Sequence, residues 1–174
     1  MEATEAAGKL LLESINSSFK VSNKEGINNL VTEIDHASEK LIIDTIKRNF
    51  PDHFILSEEV GEIKMDSPYK WIIDPIDGTV NFANGIPICC TSIGVEYERK
   101  MILGAVYNPF LKELFFAERK MGATLNGKKI RVSDKTEVSK SCLVTGFPYT
   151  YLDMPNGPLE VFSSLIRRGI PVRR

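Results

Sequence analysis

Two aspartates, Asp74 and Asp77, stand three residues apart at the end of the apolar run Trp71-Ile72-Ile73. A short apolar run bounded by turn residues is typical of a buried strand, so Asp74 is expected where the strand leaves the core. Pro75 fixes its own φ and lacks a backbone N–H, which predicts a sharp turn with both aspartates on one side. Carboxylate oxygens are the ligands that Mg²⁺ prefers in proteins, so this stretch predicts a divalent metal site.

Gly78 and Thr79 follow directly and suit the binding of an anion. Gly78 allows another group to approach the backbone closely, and Thr79 can cap a short helical turn through residues 80–82. The free N–H groups of that turn would point back at the aspartates. Such an arrangement is stable when cations sit between the carboxylates and a phosphate sits on the amides. The alternative is an ordinary surface turn, for which this composition is also common.

A second acidic strand end lies about fifteen residues upstream, where Glu58 and Glu59 follow the apolar run Phe54-Ile55-Leu56. Two strand ends that deliver glutamate and aspartate to the same place can hold two or three magnesium ions. The pattern thus favours a metal-assisted reaction over a solvated acidic surface.

The run Trp71–Phe82, WIIDPIDGTVNF, resembles the signature of the inositol monophosphatase family, which are magnesium-dependent and lithium-sensitive phosphomonoesterases. Three further matches occur in the same order along the chain: Asn29-Leu30-Val31-Thr32 followed by Asp35, the pair Glu58-Glu59, and Gly94 onward into Gly104-Ala105-Val106-Tyr107-Asn108-Pro109. The resemblance covers nearly the whole chain.

The resemblance implies a set of metal ligands and a fold. Glu58, Asp74 and the carbonyl of Ile76 would hold one magnesium, and Asp74 and Asp77 would share a second. A third ion near Glu58 would share the attacking water. Inhibition by Li⁺ is expected on the same ground. The implied fold is layered αβαβα when complete, of the inositol monophosphatase and sugar phosphatase type.

The resemblance also implies catalytic and substrate-binding residues. Thr79, oriented by Asp35, would take the proton of the attacking water, with Glu58 assisting. Phosphate contacts would come from Ile76, Asp77, Gly78 and Thr79. The chain has no Ser-His or Cys-His pairing that indicates a covalent intermediate, so water is the expected nucleophile.

Several of these residues also have a simpler interpretation. Asp35 would lie in the first turn of a helix, where it could merely complement the helix dipole. Lys24 is either a solvated charge or, as the resemblance implies, part of a mobile loop over the metals. His36 and His53 lack ligand spacing and are expected to be structural or at the surface.

The chain departs from the family at its end, residues 170–174, where a new strand is expected to begin. The resemblance implies that related sequences continue for roughly another half of this length, through a second α/β domain. A Trp-Asp motif there supplies an aspartate to the second metal, and no residue here can take that role. The expected domains are therefore 1–148, which binds metal and phosphate, and 149–174, the start of a truncated α/β domain.

The expected substrate is inositol 1-phosphate or a related sugar or polyol phosphate, with fructose 1,6-bisphosphate as the alternative. A non-catalytic binding or structural subunit, such as a partner of the transcription machinery, is an alternative of another class. Arg167, Arg168, Arg173 and Arg174 could serve such contacts, although a solvated chain end is the simpler interpretation. A homodimer is expected.

Composition is that of an ordinary soluble globular protein and gives no reason to expect nucleic-acid or membrane binding as the main activity. The 174 residues are 43% hydrophobic and 26% charged with a formal net charge of −1. No apolar stretch approaches the ~20 residues of a membrane helix, and Met1–Glu5 does not resemble a signal peptide. A cytoplasmic location is expected. Cys89, Cys90 and Cys142 are expected to be buried, reduced thiols.

Hydrophobic periodicity predicts an α+β fold in which two N-terminal helices pack on one antiparallel sheet. The helices are expected at Glu2–Phe19 and from Asn29 or Thr32 to Phe50-Pro51. A third is expected around residues 159–169. Strands after the acidic stretch are predicted at 88–97, 101–107, 111–117, 122–125, 128–132 and 141–147, with turns at 98–100 and 126–127.

Overall fold

The computed structural model describes residues 1–24, 29–147, 154 and 157–173. The chain divides into two compact units, Met1–Ile130 and Arg131–Arg174. The domain boundary predicted near Pro148 lies outside the described residues.

Two helices of the first unit begin and end for local reasons. Helix α1 spans Glu2–Ser14 and so ends before Phe19, the predicted last residue. The chain leaves the helix in a turn, in which the Ser17 N–H donates to the Ser14 carbonyl at 2.9 Å. Helix α2, Glu33–Asn49, begins after the N-cap Thr32 and ends before Phe50, as predicted.

The strands of the first unit form a two-stranded and an eight-stranded sheet. The small sheet pairs β1, Val21–Asn23, with β2, Leu30–Thr32. The large sheet contains β3 Phe54–Ser57, β4 Gly61–Ile63, β5 Tyr69–Asp77, β6 Cys90–Tyr97, β7 Lys100–Asn108, β8 Glu113–Glu118, β9 Gly122–Leu125 and β10 Lys128–Ile130. Its order is β10-β9-β8-β7-β6-β5-β3-β4.

The large sheet is mixed, which corrects the prediction of a wholly antiparallel sheet. Strand β3 pairs parallel with β5, while β4 pairs antiparallel on the other side of β3. The chain therefore returns before it enters β5, and β5 runs in the same direction as β3. As a result the carboxyl ends of β3 and β5 lie at the same edge of the sheet.

Strand β5 continues through Pro75 to Asp77, so the predicted sharp turn after Asp74 is wrong. A β-bulge replaces it: Asp74 pairs with Ser92 and Asp77 pairs with Cys90, which leaves one extra residue on β5. Proline is tolerated at a bulge because the regular ladder is interrupted there.

The core lies between the helices and one face of the large sheet. Buried side chains from α1, α2, β3, β5 and β6 form it: Ala3, Ala7, Ile42, Ile43, Ile46, Ile55, Ile73 and Ile93. A second cluster joins Leu11 of α1 to Ile76, Phe82 and Cys89 near the end of β5. Phe19 stacks on Phe82 at 5.2 Å between ring centroids.

Two tight hairpins connect the later strands. Glu98 and Arg99 have φ values of 48° and 62°, and Asn126 and Gly127 have 49° and 77°. Two consecutive positive φ angles are typical of the type I′ turn, which matches the twist of the flanking strands. Lys100, predicted in the first turn, is the first residue of β7.

The second unit contains a short 3₁₀ helix at Val138–Lys140, helix α4 at Pro158–Arg167, and strands β11, Leu143–Val144, and β12, Val172–Arg173. The two strands pair in parallel. The predicted strand at 141–147 is thus reduced to two residues, whereas the predicted helix is confirmed. Among the described residues no helix has the length and apolar character needed to cross a membrane.

The three cysteines are free and differ in exposure. Cys89 is buried and Cys90 is half-buried, but Cys142 is exposed, so the prediction of a buried thiol is wrong for Cys142. Cys142 directly precedes a strand of only two residues, which is too short to carry it into a core.

Candidate metal centre

Asp74 occupies a place where its negative charge is poorly compensated. Its Oδ1 atom is buried and has no hydrogen-bond partner. Burial, then the charge of Glu58 and then that of Asp77 raise the pKa of Asp74 to about 7. Glu58 and Asp77 are thus both near enough to Asp74 for their charges to act on it.

The bulge in β5 explains why Asp74 and Asp77 share a face. Residues three apart point to opposite faces of a regular strand. Their partners Ser92 and Cys90 are two apart on β6 and therefore lie on one face. Since paired residues share a face, the extra residue of the bulge brings Asp74 and Asp77 to the same side.

Glu58 reaches the site from the neighbouring strand. Ser57 pairs with Ile73, and the Glu58 N–H donates to the Ile73 carbonyl at 3.2 Å. This bond places Glu58, the first residue after β3, beside Asp74 of β5.

Lys24 lies against both glutamates. Its Nζ donates to Glu58 Oε1 at 2.8 Å and also to Glu59 Oε1. Burial alone would lower the pKa of Lys24, but the bonds to Glu58 and Glu59 outweigh it and the pKa is raised. A lysine that holds two carboxylates is not a solvated charge, so the simpler interpretation of Lys24 does not apply.

Asp77 is exposed and borders a pair of thiols. Cys90 Sγ lies 3.8 Å from Asp77 Oδ2. Burial, followed by the charges of Asp77 and Asp74, raises the pKa of Cys90 to about 12. Burial, followed by Asp35 and Asp77, raises the pKa of Cys89 to about 11. Both thiols therefore stay protonated near neutral pH and are poor nucleophiles.

Asp35 links the cap of α2 to Thr79. Its Oδ2 accepts from the Thr32 N–H at 2.7 Å and from Thr32 Oγ1 at 2.6 Å. Its Oδ1 accepts from Thr79 Oγ1 at 2.9 Å. The Asp35 carboxylate, which is buried, is thus both part of a capping box and a partner of Thr79.

Gly78, rather than Thr79, is the N-cap of the five-residue helix α3, Thr79–Ala83, which corrects the predicted cap. The φ of Gly78 is +96°, and a Cβ there would lie 3.0 Å from the Ile88 carbonyl oxygen. The Thr79 hydroxyl instead lies 3.0 Å from the Ile76 carbonyl oxygen, besides contacting Asp35. A single hydroxyl proton can serve only one of these two acceptors at a time.

The donor set fits hard divalent cations. It consists of carboxylate oxygens and the Ile76 carbonyl. The buried Asp74 Oδ1 accepts no hydrogen bond, so a cation that bound it would displace no existing partner. Within the described ranges, however, no three side chains of His, Cys, Asp or Glu converge closely enough to enclose one ion.

Sequence reasoning missed three residues that hold the site-bearing segments. Ser38 Oγ and Thr91 Oγ1 donate to the Pro75 carbonyl at 3.0 and 3.3 Å. Glu39 Oε1 accepts from the N–H groups of Glu59 and Val60, at 3.0 Å each. Local patterns carry no signal for these contacts, which join residues between 16 and 37 positions apart.

The fold and the acidic strand ends define a class of α+β proteins with a candidate divalent-metal site, and a family comparison narrows it. The model of the inositol monophosphatase family matches residues 1–174, so the chain belongs to this family. The resemblance inferred from the sequence is thereby confirmed.

Two curated relatives of this chain carry different functional names, one of an enzyme and one of a Nus factor. The inositol-1-monophosphatase of Synechocystis sp. is 45% identical over 174 residues, which are 99% of this chain and 61% of the relative. The Nus factor SuhB of Escherichia coli is 38% identical over 176 residues, covering 100% of this chain and 66% of the relative. The chain thus spans about three fifths to two thirds of these relatives' length.

Solved structures confirm the fold. The inositol monophosphatase from Anabaena (Nostoc) sp. has a TM-score of 0.84 at 38% identity, with 99% of this chain and 63% of that chain covered. An IMPase/NADP phosphatase complexed with Mg²⁺ and phosphate has a TM-score of 0.82 at 25% identity, with 97% and 62% covered. The predicted α+β architecture of the inositol monophosphatase type is therefore observed.

Proposed function

We propose that this chain provides the metal ligands and water-activating residues of a Mg²⁺-dependent phosphomonoesterase. The substrate is inositol 1-phosphate or a similar sugar or polyol phosphate, with fructose 1,6-bisphosphate as the alternative. The observation that carries the proposal is Asp74, a carboxylate beside Glu58 and Asp77 with one buried oxygen unpartnered. The relative solved with Mg²⁺ and phosphate supports the choice of metal.

The contacts of β3 and β5 support this choice of metal ligands. Glu58, Asp74 and the Ile76 carbonyl would hold one ion, Asp74 and Asp77 would supply part of the ligands of a second, and a third ion is proposed near Glu58. Bound Mg²⁺ would lower the pKa of water and offset negative charge on the phosphate. Li⁺ is expected to inhibit, as in the family.

Proton transfer is assigned to Thr79. Its hydroxyl proton points to Asp35 Oδ1 or to the Ile76 carbonyl, so its lone pairs are available to accept a hydrogen bond from water. The buried Asp35 carboxylate orients the hydroxyl and takes up its proton as Thr79 deprotonates the water. Glu58 assists Thr79 in taking the proton from the attacking water.

Phosphate binding is assigned to the segment from Ile76 to Thr79. The N–H groups of Gly78 and Thr79 hold phosphate oxygens, and α3 has no side-chain cap that competes for them. The raised pKa values of Cys89 and Cys90 support water as the nucleophile, because both thiols stay protonated.

Phosphate release from inositol 1-phosphate tests this function directly. The 174-residue chain with Mg²⁺ is expected to release phosphate, and Asp74→Asn is the blank. Equal release by both proteins would contradict the proposal. Absence of both release and metal binding in the folded wild type would also contradict it.

A second candidate is a partner of the transcription machinery, which the relative named Nus factor SuhB favours. Arg167 and Arg168 are exposed at the end of α4 and could contact an acidic partner. A homodimer is proposed for either function. A pull-down of RNA polymerase that survives Asp77→Asn but not Arg167→Glu would favour this candidate over the phosphatase.

A further inference from the structure

The segment that carries Glu58 is held by a buried charge from another element. Glu39 lies on α2 and is 2% exposed. One of its oxygens, Oε1, accepts from the N–H groups of Glu59 and Val60, at 3.0 Å each. Glu58 is the residue immediately before these two donors. Its position after β3 is therefore tied to α2.

Glu39 is unusual because its charge has no side-chain partner among the residues that the structure describes. None of the ion pairs found in the described parts of the chain includes Glu39. Burial of a carboxylate is unfavourable unless hydrogen bonds compensate it, and two backbone N–H groups supply that compensation here. An apolar side chain could fill the same volume, but it could not fix the backbone after β3.

The neighbouring residues on α2 fix the other half of the site. Ser38 Oγ donates to the Pro75 carbonyl, between Asp74 and Ile76. Asp35 accepts from Thr79. One face of α2 thus contacts both strand ends, and Glu39 is its contact with the strand end that bears Glu58.

We infer that Glu39 is a positioning residue for metal binding: it holds the backbone that follows Glu58, so that Glu58 faces Asp74 at the separation that a shared cation needs. This inference rests on the proposed metal site. Residues that orient metal ligands typically contribute ~10–100-fold to metal affinity. The role requires an acceptor oxygen at Oε1 and does not require a negative charge.

The test compares Mn²⁺ affinity, measured by water proton relaxation, in wild type, Glu39→Ala, Glu39→Gln and Ile46→Ala. Glutamine keeps an acceptor for both N–H groups. Ile46 is a matched control, because it is buried on the same helix and its truncation destabilises the core without touching the site. We expect Glu39→Ala to bind Mn²⁺ at least about tenfold more weakly than wild type. Glu39→Gln and Ile46→Ala should bind within about threefold.

Two results would overturn the inference: Glu39→Ala with wild-type affinity, or Glu39→Gln as weak as Glu39→Ala. Amide hydrogen exchange of Glu59 and Val60 provides a readout that needs no metal. Their protection should fall in Glu39→Ala and persist in Glu39→Gln and Ile46→Ala. If wild type binds no Mn²⁺, the proposed function fails, and the exchange data still decide whether Glu39 holds this segment. If Glu39→Ala does not fold, exchange in Glu39→Gln decides: lost protection at both amides would contradict the inference.

Discussion

At the residue scale, Asp74 is a carboxyl group whose surroundings disfavour its charged form. Burial and two neighbouring carboxylates raise its pKa to about 7, far above the ordinary value of 3.8. Such a group contributes fully to stability only below the unfolded-state value of 3.8, and that contribution is lost as the pH rises from there through the folded-state pKa. The metal-free protein therefore carries a cost at Asp74 above neutral pH, which a bound cation would relieve.

Asp74→Asn should make the metal-free protein more stable than wild type at about pH 8, and similarly stable only at about pH 3.5, below the ordinary carboxyl value of 3.8. The amide cannot ionise, so it removes the repulsion that wild type experiences once Asp74 loses its proton. Urea unfolding in the presence of EDTA at both pH values measures this. Asp66→Asn, which alters an exposed carboxylate, is the control and should show no such difference. An unchanged pH dependence in Asp74→Asn would contradict the prediction.

Lys24 competes with a cation for Glu58, because its ammonium group already neutralises that carboxylate and Glu59. Lys24→Met should therefore raise the affinity for Mg²⁺, by about threefold to tenfold. Calorimetric titration measures the change. Lys40→Met is a matched control, since Lys40 pairs with Asp44 on the exposed side of α2 and should have no effect. Weaker Mg²⁺ binding by Lys24→Met would show that Lys24 assists the metal instead.

At the element scale, the bulge in β5 decides which side chains face the site. Ser38 and Thr91 both donate to the Pro75 carbonyl and fix the bulge from α2 and β6. Beyond it, Gly78 turns the chain into α3 with a φ of +96°. A Cβ at Gly78 would lie only 3.0 Å from the Ile88 carbonyl oxygen, so this backbone would have to shift by a few tenths of an ångström.

Gly78→Ala should destabilise the protein by about 2–4 kcal/mol, from the positive φ and from the clash with the Ile88 carbonyl. Gly127→Ala separates the two causes. Gly127 has a φ of +77°, but no atom lies within 4 Å of the place that a Cβ would occupy, so the substitution should cost only about 1 kcal/mol. Chemical denaturation compares the two variants. Equal losses would mean that the close approach of Ile88 contributes nothing.

At the scale of the whole molecule, local patterns predicted the elements better than their pairing. Helix α2 was predicted from its apolar spacing with Asn29 or Thr32 as its start, of which Thr32 is the observed N-cap, and the hairpin turn at 126–127 was predicted from its Asn-Gly pair. The parallel pairing of β3 with β5 was missed, because it depends on β4 occupying the other side of β3.

The candidate site was predicted by residue type but not by geometry. Glu58, Asp74 and Asp77 were recognisable as acidic residues after apolar runs. The bulge that aligns Asp74 with Asp77 follows from pairing with β6, and the contact of Glu39 with Glu59 joins residues 20 positions apart. Such contacts depend on the tertiary fold and leave no periodic signal in the sequence.

All the proposed protein ligands lie in the unit Met1–Ile130, although the chain covers only 61% of its Synechocystis relative. Metal binding is therefore expected of this chain by itself, with part of the second ion's shell supplied by water. A ligand that binds only the folded state also stabilises that state. The free energy of unfolding rises by about 2.7 kcal/mol when the free ligand concentration is roughly 100 times the dissociation constant.

The most direct test of the metal site is a calorimetric titration of the folded chain with Mg²⁺ at about pH 8, above the pKa of Asp74, with Asp74→Asn and Asp66→Asn alongside. We predict binding at millimolar concentrations or below for wild type and Asp66→Asn, with a matching rise in the free energy of unfolding. Asp74→Asn should show neither. A folded wild type that binds no Mg²⁺, or an Asp74→Asn variant that binds as tightly as wild type, would contradict the assignment of Asp74 as the shared metal ligand.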